Sequence, residues 1–359
     1  MFRRLLERFR KDPMNLEIIQ AAKALRSDVF PNGFATAWLH PEQNLIKLVL
    51  PFPAVTEAEA LIAADTTLSR YSWNVSFQVE TLPRNADRKA VSARNVIAIA
   101  SGKGGVGKSS VTASLALALA ERGARVGILD ADIFGPSMPT LFGAAEPEDD
   151  MVEESPDQPQ TRKMNPVLRY GVAINSLGYL TAPDDATVWR GPMASRALEQ
   201  LCFDTRWPQL DYLLVDLPPG TGDIQLTLAQ KLPVTGALVV TTPQEVALAD
   251  ARKAISMFNK VDVPVFGVLE NMSFYQCSGC GNKDFIFGEG GGNRLAAKHC
   301  IPLLGEWPLN SWVRACFDAG KPSLVHKPED PVHDYFRETA SRLVANAWLL
   351  SSANAEEMN

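Results

Sequence analysis

Three groups of residues in this chain have types and spacings suited to chemistry. The first is Ser101-Gly102-Lys103-Gly104-Gly105-Val106-Gly107-Lys108-Ser109-Ser110. Gly102, Gly104, Gly105 and Gly107 reach backbone conformations that other residues avoid, so the loop turns its N–H groups inward around phosphate. Lys108 then reaches the β- and γ-phosphates of a nucleotide and the Ser109 hydroxyl meets Mg2+. Lys108 is expected to keep its methylenes exposed. The second group is carboxylates. Asp216 ends the apolar run Tyr212-Leu213-Leu214-Val215 and reads as the Walker B residue that holds Mg2+ through water. The turn Leu217-Pro218-Pro219-Gly220-Thr221-Gly222-Asp223 follows it, rigid enough to sense a γ-phosphate. Asp132, in Asp130-Ala131-Asp132-Ile133-Phe134-Gly135-Pro136-Ser137, is the candidate to position water or Mg2+; a cap or turn aspartate is the alternative. The third group is Cys277-Ser278-Gly279-Cys280. Two thiolates at this spacing hold one metal or two corners of an iron–sulfur cluster. There is no second C-x-x-C, and His40, His299, His326 and His333 lack finger-like spacing. One chain therefore supplies half a site. Either two chains complete it, or the pair is a redox dithiol. Cys202, Cys300 and Cys316 read as ordinary cysteines.

These groups need a scaffold. Val96-Ile97-Ala98-Ile99-Ala100 reads as a buried parallel strand, and Val111 to Arg122 as a helix. Strand, glycine loop and helix form the setting a phosphate-binding loop requires, with the helix N-terminus adding partial positive charge. Further strands are read at Arg125 to Leu129, Gly171 to Ser176, Tyr212 to Asp216, Ala237 to Thr242, Val265 to Glu270 and Leu303 to Leu309. Their alternation with helical stretches predicts an α/β fold, a P-loop NTPase with a mostly parallel sheet flanked by helices. Asn271 follows the strand from Val265, where it reads an adenine edge or makes a turn. The segments divide as residues 1–83, a small α+β domain; 84–94, a linker; 95–350, the ATPase domain; and 351–359, a flexible tail. Met1 to Arg10 reads as a short basic helix, and Ala144 to Lys163 as a mobile acidic surface loop. Arg190, in Trp189-Arg190-Gly191-Pro192-Met193, contacts phosphate or a partner, or is a plain surface arginine.

Composition narrows the function. The 359 residues carry a net charge of -6, which argues against a broad basic face for nucleic acid. No apolar run is long enough for a transmembrane helix. Five cysteines, an odd number in a long chain, do not make a disulfide framework, so reducing cytoplasm is expected.

Lys103 is a second lysine ahead of Lys108, and this deviant Walker A loop resembles that of the MinD/ParA-type ATPases. The resemblance implies that Lys103 crosses a dimer interface to the partner's nucleotide. Together with the Asp130–Ser137 run, Trp189–Met193, Asp216–Asp223, Glu270-Asn271-Met272-Ser273 and Cys277-x-x-Cys280, the chain is similar to the Mrp/NBP35 (ApbC-type) family of ATP-binding iron–sulfur carriers. The similarity covers roughly residues 94 to 345. It implies a slow homodimeric ATPase that uses ATP and Mg2+, holds a [4Fe–4S] cluster and delivers it from cluster donors to apoproteins. Phe134 stands where the family usually has tyrosine. Residues 1–83 resemble the MIP18-like domain weakly: its Asp-Pro-Glu signature is here Asp12-Pro13-Met14, and no cysteine precedes Cys202. The alternative is a MinD/ParA-type positioning ATPase acting on membrane or nucleoid. Asp330, Asp334 and Glu338 in the terminal helix, and the acidic balance, do not suit an anionic surface. A third reading is a redox switch built on the dithiol.

Overall fold

The computed structural model describes residues 13–42, 45–84, 88–144, 152–155, 158–180, 191–277 and 279–357. Two compact units form: residues up to Glu80 together with those from Val344 on, and Thr81–Leu343. The sequence places this boundary at residue 83 and keeps residues to 350 in the ATPase domain. The Met1 to Arg10 segment and Arg190 lie outside the described residues.

The first unit contains α1 (Pro13–Ala24), β1 (Leu39–Pro41), β2 (Ile46–Leu50), α2 (Val55–Ala64) and β3 (Trp73–Phe77). β2 pairs antiparallel with β1 and parallel with β3. Ile46, Leu48 and Leu50 alternate inward along β2, the period-two pattern of a strand with one covered face. The same unit buries aromatic rings, with Phe30 edge-on to Phe34 at 4.9 Å and Trp38 5.1 Å from Trp348.

The second unit starts with β4 (Ala93–Ser101), α3 (Lys108–Glu121), β5 (Val126–Asp130) and α4 (Met138–Phe142). Then come β6 (Val152–Ser155), β7 (Gln158–Met164), β8 (Val167–Arg169), β9 (Val172–Ser176) and α5 (Leu177–Leu180). Next are α6 (Gly191–Phe203), β10 (Leu210–Asp216), α7 (Asp223–Lys231), β11 (Gly236–Thr241), α8 (Glu245–Lys260) and β12 (Val265–Gln276). β13 (Lys283–Asp284), α9 (Gly291–His299), β14 (Leu303–Leu309), α10 (Ser311–Asp318) and α11 (Ser323–His326) follow, and α12 (Val332–Glu357) closes the described chain.

Among the described residues nine strands form one sheet in the order β13-β12-β11-β4-β10-β5-β9-β8, with β14 also pairing β12. The pairings are parallel except β8 with β9 and β12 with β13. β5, β10 and β11 are buried at every position, as near-continuous apolar strands are when helices cover both sheet faces. α3 is buried from Val111 through Leu119, which explains its run of alanine, leucine and small polar residues. β4 and β5 are consecutive in sequence yet β10 lies between them, so the chain crosses over at the middle of the sheet. Ligands of such sheets bind beyond the carboxyl ends of strands at this kind of crossing.

Three expectations need correction. Residues 152–155 and 158–164 form an antiparallel hairpin within the stretch read as a loop. β12 runs on to Gln276 rather than stopping at Glu270. The helix continues through residues read as a flexible tail, to Glu357. Among the described residues no helix is long and apolar enough to cross a membrane.

Candidate functional site

The glycine-rich loop leaves β4 at Ser101 and enters α3 at Lys108, with the first turn of that long helix facing the loop. Gly107 caps the helix at φ +80°, and a Cβ there would lie 2.3 Å from Asn271 Nδ2. Gly102 lies against the Asp250 backbone, where a Cβ would come within 2.1 Å of the carbonyl carbon. Close approach demands glycine at both positions, and at Gly107 the left-handed φ does so as well.

Asp216, at the end of β10, is fully buried and collects the polar groups of the loop. Lys108 Nζ donates to its Oδ1 at 2.6 Å, Ser109 Oγ to its Oδ2 at 2.6 Å, and Thr112 Oγ1 lies 2.9 Å from Oδ1. Lys108 itself is buried, contrary to the expected exposure, because the pairing draws its stem under the loop. Thr112 was not foreseen; it sits four residues beyond Lys108, one helical turn on, which is the signal that could have found it. Ser109 and Asp216 offer hard oxygen donors side by side, the kind Mg2+ takes while keeping several waters.

Asp130 lies opposite Asp216 in the parallel register of β5 and β10. Its Oδ2 accepts from Ser137 N at 3.0 Å, Met138 N at 3.2 Å and Ser176 Oγ at 2.8 Å. Asp130 thus ties down the loop that carries Asp132. Burial, and then the charge of Asp216, push the Asp130 carboxyl up to about 7. Asp132 is half-buried; burial raises its carboxyl above the usual range, opposed first by the charge of Lys108. It therefore stands within the same field as Lys108 and Asp216. Asn271, nearly buried, donates from Nδ2 to the Val106 carbonyl at 2.9 Å, so β12 buttresses the loop. Lys103, Gly104 and Gly105 are exposed, and Lys103 makes no ion pair with a described residue.

A cavity of about 470 Å3 adjoins the loop. Gly107, Ser110, Asn271, Met272, Trp307 and Asn310 are among its walls. The volume lies within the range of small-molecule pockets. β14 pairs parallel with β12, which brings its exit, Pro308 to Asn310, beside Asn271. Sequence reasoning missed this wall, because nothing in the spacing links residue 310 to residue 107.

Cys277 and Cys280 stand apart from the cradle, at the tip of the β12–β13 hairpin. Cys277 N donates to Asn282 O at 2.9 Å, and Gly281 N to Cys277 O at 2.8 Å, closing the turn. The backbone N–H groups of Cys280 and Gly279, and the Cys280 thiol, point at the Cys277 sulfur and hold its thiol below the ordinary range. That favours thiolate, the metal-binding form. All five cysteines are free, and among the described residues no three His, Cys, Asp or Glu side chains group to hold a metal ion. Among the described residues Cys277 and Cys280 therefore stand as a pair with no third ligand-type side chain beside them.

The glycine loop, Asp132, Asp216 and Asn271 thus converge at one sheet end, and a cysteine pair extends from the strand that carries Asn271. A model of the NUBPL iron-transfer P-loop NTPase family matches residues 92–344. The chain belongs to this family. Among its relatives, an iron–sulfur cluster carrier protein of Salmonella typhimurium is 48% identical over 320 residues, covering 87% of this chain and 85% of the relative. One of Aquifex aeolicus, also named an iron–sulfur cluster carrier protein, is 44% identical over 262 residues, 73% of this chain and 70% of its own. Among solved structures, a nucleotide-binding protein of Archaeoglobus fulgidus in complex with ADP is 38% identical, with a TM-score of 0.57 over 68% of this chain and 93% of that one. The cell-division ATPase MinD of Pyrococcus furiosus superposes with a TM-score of 0.50 at 22% identity, over 69% of this chain and 98% of its own, a likeness of fold. The fold is the MinD/ParA type of P-loop NTPase, as the deviant loop implied.

Proposed function

We propose that this NUBPL-family chain is an ATP-dependent iron–sulfur cluster carrier. Two copies hold one [4Fe–4S] cluster through Cys277 and Cys280 of each and pass it to apoproteins. The observation that carries this reading is the reach of β12: the strand that supports the phosphate loop through Asn271 extends to Gln276, the residue next to Cys277.

In the nucleotide site, Lys108 neutralises the β- and γ-phosphates, and the loop N–H groups orient them. Ser109 and Asp216 would hold Mg2+, which would supply positive charge to offset that of the transferring phosphoryl group. Asp132 orients the attacking water through a carboxylate kept near the phosphates by the Asp130 anchor. Lys103, exposed on the loop, reaches the nucleotide of a second copy. The base lies in the adjoining cavity between Asn271 and the β14 exit. The cluster is cargo, held at an open hairpin tip by two thiolates per chain, an arrangement suited to release.

Anaerobic reconstitution with iron and sulfide tests this. The protein should turn brown with broad absorbance near ~400 nm. Cys277→Ser and Cys280→Ser should each lose that band and keep Mg·ADP binding. An undiminished band in both variants would sink the assignment.

A further inference from the structure

A polar cavity of about 240 Å3 opens at the amino ends of β4 and β10, beside the residue that leads into β5. The phosphate cradle lies beyond the carboxyl ends of these strands. The two sites are separated by the length of β10, seven residues, or on the order of 20 Å.

Thr81, Arg84, Ser92, Arg94, Arg125 and Gln209 line this cavity. Its guanidinium groups are held in place. Arg125 forks onto Asp211, with Nη2 donating to Oδ1 at 2.7 Å and Nε to Oδ2 at 3.0 Å. The Arg125 backbone N–H also donates to Oδ2 at 3.0 Å. Arg94 Nε sits 3.5 Å from Asp211 Oδ1, and Arg84 Nη1 donates to the Ala93 carbonyl at 3.3 Å. The register Ala93 opposite Leu210 fixes Arg94 and Gln209 across the same strand pair.

Among the described residues around the cavity, three guanidinium groups are answered by one carboxylate. Asp211 is nearly buried, whereas Arg94 and Arg125 are 42% and 50% exposed. Burial works to raise the Asp211 carboxyl, but the bonds from Arg125 and the charges of Arg125 and Arg94 hold it below the usual range. Asp211 therefore remains an anion that orients the arginines, and among the described residues the cavity keeps an excess of about two positive charges. Hydroxyls of Thr81 and Ser92 and the Gln209 amide add neutral donors. Guanidinium groups fixed in this way match the paired oxygens of phosphate and carboxylate. The volume falls below the usual range for a drug-sized ligand.

We propose that this cavity binds a small multivalent oxyanion, a phosphate or a polycarboxylate, independently of the nucleotide. Arg84 and Arg94 make the direct contacts. Asp211 positions Arg125 and keeps the site from collapsing on itself.

The test uses the full chain saturated with Mg·ADP, so that the cradle is filled. Inorganic phosphate, pyrophosphate and citrate are titrated separately at constant ionic strength and followed by calorimetry. Wild type should bind at one site per chain, with the preferred probe telling phosphate from polycarboxylate. The double variant Arg84→Gln/Arg94→Gln should bind at least about tenfold more weakly, with Mg·ADP affinity unchanged. If that variant fails to fold, Arg84→Gln alone leaves both Asp211 pairs intact and should still weaken binding at least about threefold. Absence of saturable binding by wild type to all three probes overturns the proposal. So does equal affinity in a folded variant.

Discussion

Lys108 and Asp130 show how single side chains in the cradle answer to burial before they answer to a ligand. Lys108 is drawn under the loop by Asp216, which is why its stem is buried although its sequence position suggested otherwise. Asp130 bears the opposite cost. Its carboxyl is pushed up to about 7 by burial and by Asp216. An unfolded aspartate titrates near ~3.9. A group whose folded-state value is raised stabilises fully below its unfolded value and loses that contribution as pH rises through the folded one. Between pH 5 and 8 the wild type should therefore lose on the order of 2 kcal/mol relative to Asp130→Asn. Urea unfolding of both proteins at the two pH values checks this. A difference that is flat, or that grows as pH falls, would contradict the assigned environment. That Lys108, Ser109 and Asp216 come together was legible because the spacing of a phosphate-binding loop is fixed by the anion it suits. Thr112 and Asn310 were not, since they enter through helix pitch and strand pairing.

At the scale of elements, β12 does most to join the two sites. Its sequence reads as ending at Glu270 because Asn271 can form a turn. In the structure Met272 takes φ +55°, and the pairing with β14 shifts register between Glu270 and Phe274. The strand absorbs the irregularity and continues to the cysteines. The β6–β7 hairpin was hidden for a different reason: its acidic, proline-containing sequence carries no apolar alternation. By contrast, β4, the glycine loop and α3 were plain, since apolar run, glycine spacing and helix start agree with one another. Asn271→Ala should remove the support of the Val106 carbonyl and lower Mg·ADP affinity about tenfold. Cluster retention after reconstitution should persist, because the hairpin tip closes through its own backbone bonds. Loss of the cluster with unchanged nucleotide affinity would show that Asn271 serves the wrong end of the strand.

At the scale of the whole molecule, both proposed activities call for a second copy. Lys103 is exposed and makes no ion pair with a described residue, and among the described residues no third ligand-type side chain joins Cys277 and Cys280. Lys103→Ala should lower the rate of ATP hydrolysis at least about tenfold while leaving Mg·ADP affinity within about twofold, because a contact made only in the closed pair acts on turnover. Mixing it with Asp132→Ala should restore part of the activity in heterodimers. No recovery at any ratio would place Lys103 in its own chain's site. A cubane cluster has four iron corners, each wanting a thiolate. A two-fold axis sets the same two thiolates opposite themselves. The most direct test is the iron and sulfide content of the anaerobically reconstituted protein, measured together with its mass in solution. Bridging predicts about four iron and about four sulfide for every two chains in a dimer. About four of each per single chain, or tightly held zinc in their place, would contradict it.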